Sequence, residues 1–311
     1  MSDWTAADVP DLSGKTVVVT GANSGLGFEA TRTFAEKGAH VVMACRSLDR
    51  GEDAMADIRE SVSAASLTLS ELDLADLDSV RRFADEFAAE HGSLHVLCNN
   101  AGVMAIPRRE TAQGFETQFG VNHLGHFALS ARLFPTLRDT PGETRLVTMS
   151  SGLHERGRME FDDLQGERDY DEWDAYAQSK LSNLLFAFEL DRRLTAAGID
   201  DVLSVGAHPG YAATNLQLRG PEASGSTLRY WMSKLGNAIF AQSAEMGALP
   251  LLYAATSPAV ESGEYVGPQG LFGMRGTPGI AEPSDRARDP ETAARLWEVS
   301  EELTDTRFRL A

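Results

Sequence analysis

Cysteine is nearly absent from this chain. Only Cys45 and Cys98 occur in 311 residues, and both fall inside apolar, strand-like runs. A disulfide framework is excluded, and the pair reads as small buried side chains. Lysine is almost as scarce. Lys15, Lys37, Lys180 and Lys234 are the lysines among 28 basic residues, and arginine supplies the rest. Against 46 Asp and Glu this leaves a formal net charge of −18. Phosphate backbones need a basic face, so nucleic acid is not an expected partner. A lysine-poor acidic surface repels itself, and salt screens that repulsion. Two origins fit: a halophilic source with a high-salt cytosol, or an ordinary acidic protein from a GC-rich genome. No apolar run approaches the roughly 20 residues of a membrane span. Residues 1–8 are polar and acidic, unlike a signal peptide. The expectation is a cytoplasmic protein with no membrane span. No His, Cys or Asp cluster has metal-ligand spacing, so no metal is expected, and His123 and His126 read as helix residues.

What is present is a regular alternation. Apolar strand-like runs at 15–20, 39–45, 66–72, 94–98, 144–149, 202–207 and within 263–270 are separated by helical patterns. The helical stretches are 28–38, 48–61, 77–90, 115–137, 174–197, 244–255 and 289–303. Strands alternating with helices specify βαβ units and a parallel sheet covered on both faces. The expected fold is α/β: a single doubly wound domain over residues 1–311 with a mostly parallel seven-stranded sheet. Segments near 152–172 and 215–240 read as insertions over the carboxyl edge, where ligands bind in such sheets. The C-terminal tail is helical.

Gly21, Gly25 and Gly27 follow the first strand and open a helix. Glycines there let the backbone approach a pyrophosphate, and the helix N-terminus offers free N–H groups. At the end of the second strand, a carboxylate normally holds the adenosine ribose and repels a 2′-phosphate. Here the residues are Cys45, Arg46 and Ser47, and a guanidinium pairs with phosphate through a planar fork. NADP(H) is therefore expected over NAD(H). Asp73 follows strand three and is placed either to accept from the adenine amino group or to cap the next helix. Asn99 and Asn100 end strand four; Asn99 is as well suited to bracing strand ends as to holding a ribose. Tyr176 and Lys180, four apart, share one helix face. An ammonium beside a phenol is expected to draw the tyrosine down from its usual value of about 10.

Taken in order, Thr20 to Gly27, Asn99-Asn100-Ala101-Gly102, Ser150-Ser151, Tyr176-x-x-x-Lys180 and Pro209-Gly210 closely resemble the short-chain dehydrogenase/reductase family over roughly residues 13–270. The resemblance implies a Rossmann-type domain, strand order 3-2-1-4-5-6-7 and hydride transfer with a nicotinamide cofactor. It implies Tyr176 as general acid/base, and Lys180 as the group that lowers its pKa and holds the nicotinamide ribose. It makes Ser151 the donor to the substrate oxygen, with Ser150 as runner-up. It also implies that Asn122 holds a water that feeds protons to Lys180. Cofactor contacts are implied for Gly21, Asn23, Ser24, Gly25, Leu26, Gly27, Arg46, Asp73, Leu74, Asn100, Ala101, Gly102, Tyr176, Lys180, Pro209 and Gly210. Thr214 matches the position that bonds the nicotinamide carboxamide.

Residues 44–47, 121–127 and 179–183, with the long spacer between Ser151 and Tyr176, resemble the retinol dehydrogenase branch. Mammalian members carry a membrane anchor, and none is expected here. The aromatic and apolar residues Tyr170, Trp173, Tyr211, Leu216, Leu218, Tyr230, Trp231 and Met232 are expected to line a pocket for an apolar, medium-sized carbonyl or alcohol. Two alternatives stand beside this reading: reduction of an activated carbon–carbon double bond, as in protochlorophyllide reductases, and a non-catalytic NADPH sensor. The family often pairs subunits through the helices bearing Asn122 and Tyr176, so a homo-oligomer is also among the expectations.

Overall fold

β1 (Thr16–Thr20) is apolar on both sides because both sides are covered. Val17 and Val19 pack into one core with the helices α1 (Gly25–Glu36), α2 (Leu48–Ser61) and α7 (Ala244–Thr256). Val18 packs into a second core on the opposite face, with α3 (Leu77–Glu90), α5 (Gly125–Asp139) and α6 (Glu172–Ala197). The computed structural model describes residues 4–210, 243–270 and 273–310.

The remaining strands are β2 (His40–Cys45), β3 (Ser66–Glu71), β4 (Val96–Asn99), β5 (Thr144–Met149), β6 (Val202–Ala207), β7 (Tyr265–Pro268) and β8 (Pro278–Ile280). They form one sheet in the order β3-β2-β1-β4-β5-β6-β7-β8. All pairings are parallel except β7 with β8. The expected order 3-2-1-4-5-6-7 is therefore present, but the sheet has eight strands where seven were expected. β8 is three residues long, too short to show a periodicity. It exists through its pairing with β7, a tertiary effect.

The strand order reverses between β1 and β4, so the chain leaves their carboxyl ends in opposite directions and a crevice opens there. Helix caps fix where the flanking helices begin. Ser47, Asp76 and Asp171 accept from backbone N–H groups in the first turns of α2, α3 and α6. α6 is buried on nearly every side from Tyr176 to Leu190, because it lies between the sheet and α8 (Pro290–Thr304). The helix expected over 115–137 is broken into a short α4 (Thr117–Phe119), a π turn (Gly120–Leu124) and α5. Among the described residues, no helix is long and apolar enough to cross a membrane.

Candidate active site

The crevice between β1 and β4 is a groove. It is lined by Gly21, Asn23, Ser24, Gly25, Leu26, Gly27, Arg46, Asp73, Leu74, Asn100, Ala101 and Gly102, all expected from sequence. Gly21 and Gly25 have φ of +68° and +58°, the left-handed region that glycine enters freely. Gly27 is held to glycine by space: a Cβ there would lie 2.4 Å from the Gly21 carbonyl oxygen and 2.6 Å from Asn100 Nδ2. The turn is locked to strand four. Asn100 Nδ2 donates to the Thr20 carbonyl at 2.8 Å, and the Asn100 and Ala101 amides both donate to Thr20 Oγ1 at 2.9 Å. Asn99 is buried and donates to Ser130 Oγ at 2.8 Å, which is bracing. Asp73 is not the helix cap, because Asp76 fills that place. Its carboxylate accepts from the Ala75 amide at 3.0 Å and faces the groove.

Arg50 lines the same groove, one turn beyond Arg46. Sequence reasoning passed over it. The signal was present, since two arginines four residues apart straddle the Ser47 cap of α2. With the N-terminal dipole of that helix, they put positive charge beside the end of β2.

At Gly102 the groove meets a second cluster. A Cβ at this position would lie 3.0 Å from Asn122 Oδ1 and 3.6 Å from Lys180 Nζ. Asn122 sits in the π turn. Its Oδ1 accepts from the Val103 amide at 2.8 Å, and its Nδ2 donates to the Val103 carbonyl and to Ser179 Oγ, both at 2.9 Å. Its amide is thus committed to protein. A π turn displaces a backbone carbonyl from the regular ladder, and the Asn122 carbonyl accepts from His126 Nδ1 at 3.0 Å. That fixes the buried ring's tautomer, so its Nε2 accepts from Thr20 Oγ1 at 3.0 Å.

Tyr176 and Lys180 are both buried, and Lys180 Nζ lies 5.7 Å from the tyrosine ring centroid. Nζ donates to the Met149 carbonyl at 3.1 Å. The expected lowering of the phenol does not occur here. Burial pushes Tyr176 up to about 12, and a hydrogen bond with Ser151 acts in the opposite direction. Burial likewise pulls Lys180 down to about 8. Desolvation is the largest cause for both groups, since each is buried and its charged form loses water.

The two serines separate cleanly. Ser150 is buried, and its hydroxyl donates to the Lys180 carbonyl at 2.7 Å. Ser151 caps a 3₁₀ turn (Gly152–Arg156), and its Oγ accepts from the Leu153 amide at 3.2 Å. The Ser151 hydroxyl also shares a hydrogen bond with the Tyr176 phenol. A substrate oxygen between these two hydroxyls would meet two donors.

A short chain dehydrogenase family model matches residues 15–222, which contain the groove, the serine pair and the tyrosine helix. The chain belongs to the short-chain dehydrogenase family. It is 40% identical to human retinol dehydrogenase 12 over 299 residues, 96% of this chain and 88% of that protein. It is 40% identical to mouse polyprenol dehydrogenase over 307 residues, 97% and 87% of the two chains. An uncharacterized protein from Mycobacterium Paratuberculosis shares 44% identity and superposes with a TM-score of 0.82, covering 99% of this chain and all (100%) of that one. A Beutenbergia cavernae protein assigned as an NAD(P) dependent gluconate 5-dehydrogenase, with NADP at low occupancy, shares 27% identity. Its TM-score is 0.62, over 82% of this chain and 95% of that one.

Other expected residues of this dehydrogenase fall elsewhere. Pro209 and Gly210 follow β6, with Gly210 at φ +65° where a Cβ would meet the Met274 carbonyl. Thr214 and the expected pocket residues Tyr211, Leu216, Leu218, Tyr230, Trp231 and Met232 lie outside the described residues. Tyr170, expected to line the pocket, is tied by its hydroxyl into a network. The oxygen accepts from Gln118 Nε2 at 2.9 Å and lies 2.8 Å from the Ile106 carbonyl and 3.1 Å from Glu116 Oε1. It fastens the 152–172 segment to the loop after β4. Trp173, one turn before Tyr176, is 43% exposed.

Proposed function

We propose that this oxidoreductase uses NADP(H) to interconvert a carbonyl and an alcohol on an apolar, medium-sized substrate. The observation that carries the reading is the junction at Gly102, where the glycine-turn groove meets Asn122 and Lys180, with Tyr176 beside Lys180 and Ser151 hydrogen-bonded to Tyr176. The groove fits a dinucleotide, since the space a Cβ would fill at Gly27 is already closed and the turn backbone faces open volume. Arg46 and Arg50 would hold a 2′-phosphate, and Asp73 is the sole carboxylate among the lining residues. A bound nicotinamide supplies or accepts the hydride. Ser151 donates to the substrate oxygen as charge gathers there. Tyr176 gives that oxygen its proton, or takes one from an alcohol. Lys180 holds the ribose and stabilises the phenolate once a proton has left. The Asn122 amide is occupied, so a relay water would rest on its carbonyl, beside His126. An apolar alcohol or aldehyde is favoured by the names of the retinol and polyprenol dehydrogenases.

The test is a panel of octanal, retinal and 2-octenal with NADPH and with NADH, followed by product analysis. The expected outcome is consumption of NADPH with formation of the alcohol. Saturated aldehyde from 2-octenal would establish the double-bond alternative, and NADPH binding without turnover on any member would establish the sensor. The acidic surface supports a cytoplasmic home at high salt. The melting temperature is expected to climb between low and molar KCl, and a flat profile would leave the ordinary acidic origin.

A further inference from the structure

We infer that His154 is a positioning residue for Ser151, held in its working tautomer by the C-terminal segment; this rests on the role proposed for Ser151. His154 is 1% exposed and lies on the 3₁₀ turn that Ser151 caps. Its Nδ1 is 2.7 Å from the Ser151 carbonyl oxygen. A carbonyl only accepts, so Nδ1 carries the proton. Its Nε2 is 3.1 Å from the Ser284 amide, which only donates, so Nε2 is bare. A neutral imidazole has one donor and one acceptor, and this tautomer satisfies both contacts. Burial disfavours the imidazolium and keeps the ring in that state.

The ring is fixed in plane as well. Tyr265, itself buried, packs edge-to-face on it with centroids 5.5 Å apart at 81°. Tyr265 in turn stacks on His208 at 5.1 Å, next to Pro209 and Gly210.

The consequence falls on Ser151. Its carbonyl accepts twice from His154, from the ring and from the amide at 3.0 Å. A 3₁₀ turn alone has poorer hydrogen-bond geometry than an α-helix. The ring bond therefore holds the backbone from which the Ser151 hydroxyl is aimed. Ser284 lies well beyond residue 222, where the family match ends. The tail thus reaches back to the catalytic serine through one imidazole.

Five variants test this, with octanal turnover and an NADPH binding titration as readouts. His154→Ala is expected to lower kcat by about 10- to 100-fold, with the Kd for NADPH unchanged because the groove lies elsewhere. His154→Asn places an amide Nδ2 near the lost Nδ1 and is expected to restore most of kcat. Ser284→Pro removes the amide proton together with a side-chain hydroxyl that has no hydrogen-bond partner among the described residues. Ser284 has φ −63°, which proline adopts without strain, so a folded variant with a smaller loss of kcat is expected. In a Ser151→Ala background, His154→Ala is expected to add no further loss. Unchanged kcat in His154→Ala, equal damage in His154→Ala and His154→Asn, or additive losses with Ser151→Ala would each overturn the inference. An unchanged Ser284→Pro would overturn the hold from the tail. Full activity in Ser151→Ala alone would instead sink the proposed role of Ser151.

Discussion

Tyr176→Phe is expected to lower kcat by about a thousand-fold, within the range of positioned general acid–base catalysis, while NADPH binds as before. The substitution removes one oxygen from a residue that is 4% exposed, so packing changes little. Among the described residues, the buried His126 is not free to substitute. Its two ring nitrogens are taken by Asn122 and Thr20. Ser151 remains as a donor to the substrate oxygen, which is why some turnover should survive. Steady-state kinetics with octanal, paired with a cofactor titration, gives the answer. Turnover close to the parent's would mean that the proton comes from elsewhere, and the mechanism would fall with it.

Arg46→Asp is expected to reduce the preference for NADPH over NADH by about a hundred-fold in kcat/KM. A charged hydrogen bond contributes about 1.5–3 kcal/mol, and each 1.4 kcal/mol is about a factor of ten. The new carboxylate would also repel a 2′-phosphate and accept from ribose hydroxyls, which raises NADH affinity. Arg50 keeps part of the phosphate attraction, so Arg46→Asp combined with Arg50→Ala should carry the ratio further. The ratio of kcat/KM values for the two cofactors is the measurement. If it stays where the parent has it, Arg46 does not read the phosphate.

Much of this architecture was legible in the residues. β5, β6 and α3 begin and end where the apolar patterns predict, because the two strands are buried throughout and α3 buries one regular apolar face. The groove residues were legible for the same reason: each sits at a strand's carboxyl end, and the doubly wound topology gathers those ends. Three features were not. The π turn that carries Asn122 depends on backbone spacing within an uninterrupted helical pattern. The pKa of Tyr176 depends on burial: the four-residue spacing places Lys180 on the same face but says nothing of how dry that face is. Tyr170 is aromatic in a loop, which reads as pocket lining, yet a buried Glu116 and Gln118 claim its hydroxyl.

The reversed strand β8 also bears on how copies of this chain can meet. A parallel sheet that stopped at β7 would present a row of unpaired amides and carbonyls, a template for another chain's strand. β8 covers that row along Val266, Gly267 and Pro268. What it exposes in turn is three residues long and begins with Pro278, which has no amide proton to offer. Continuation of the sheet from one molecule into the next is closed off on this side, against both fibre growth and strand-mediated dimers.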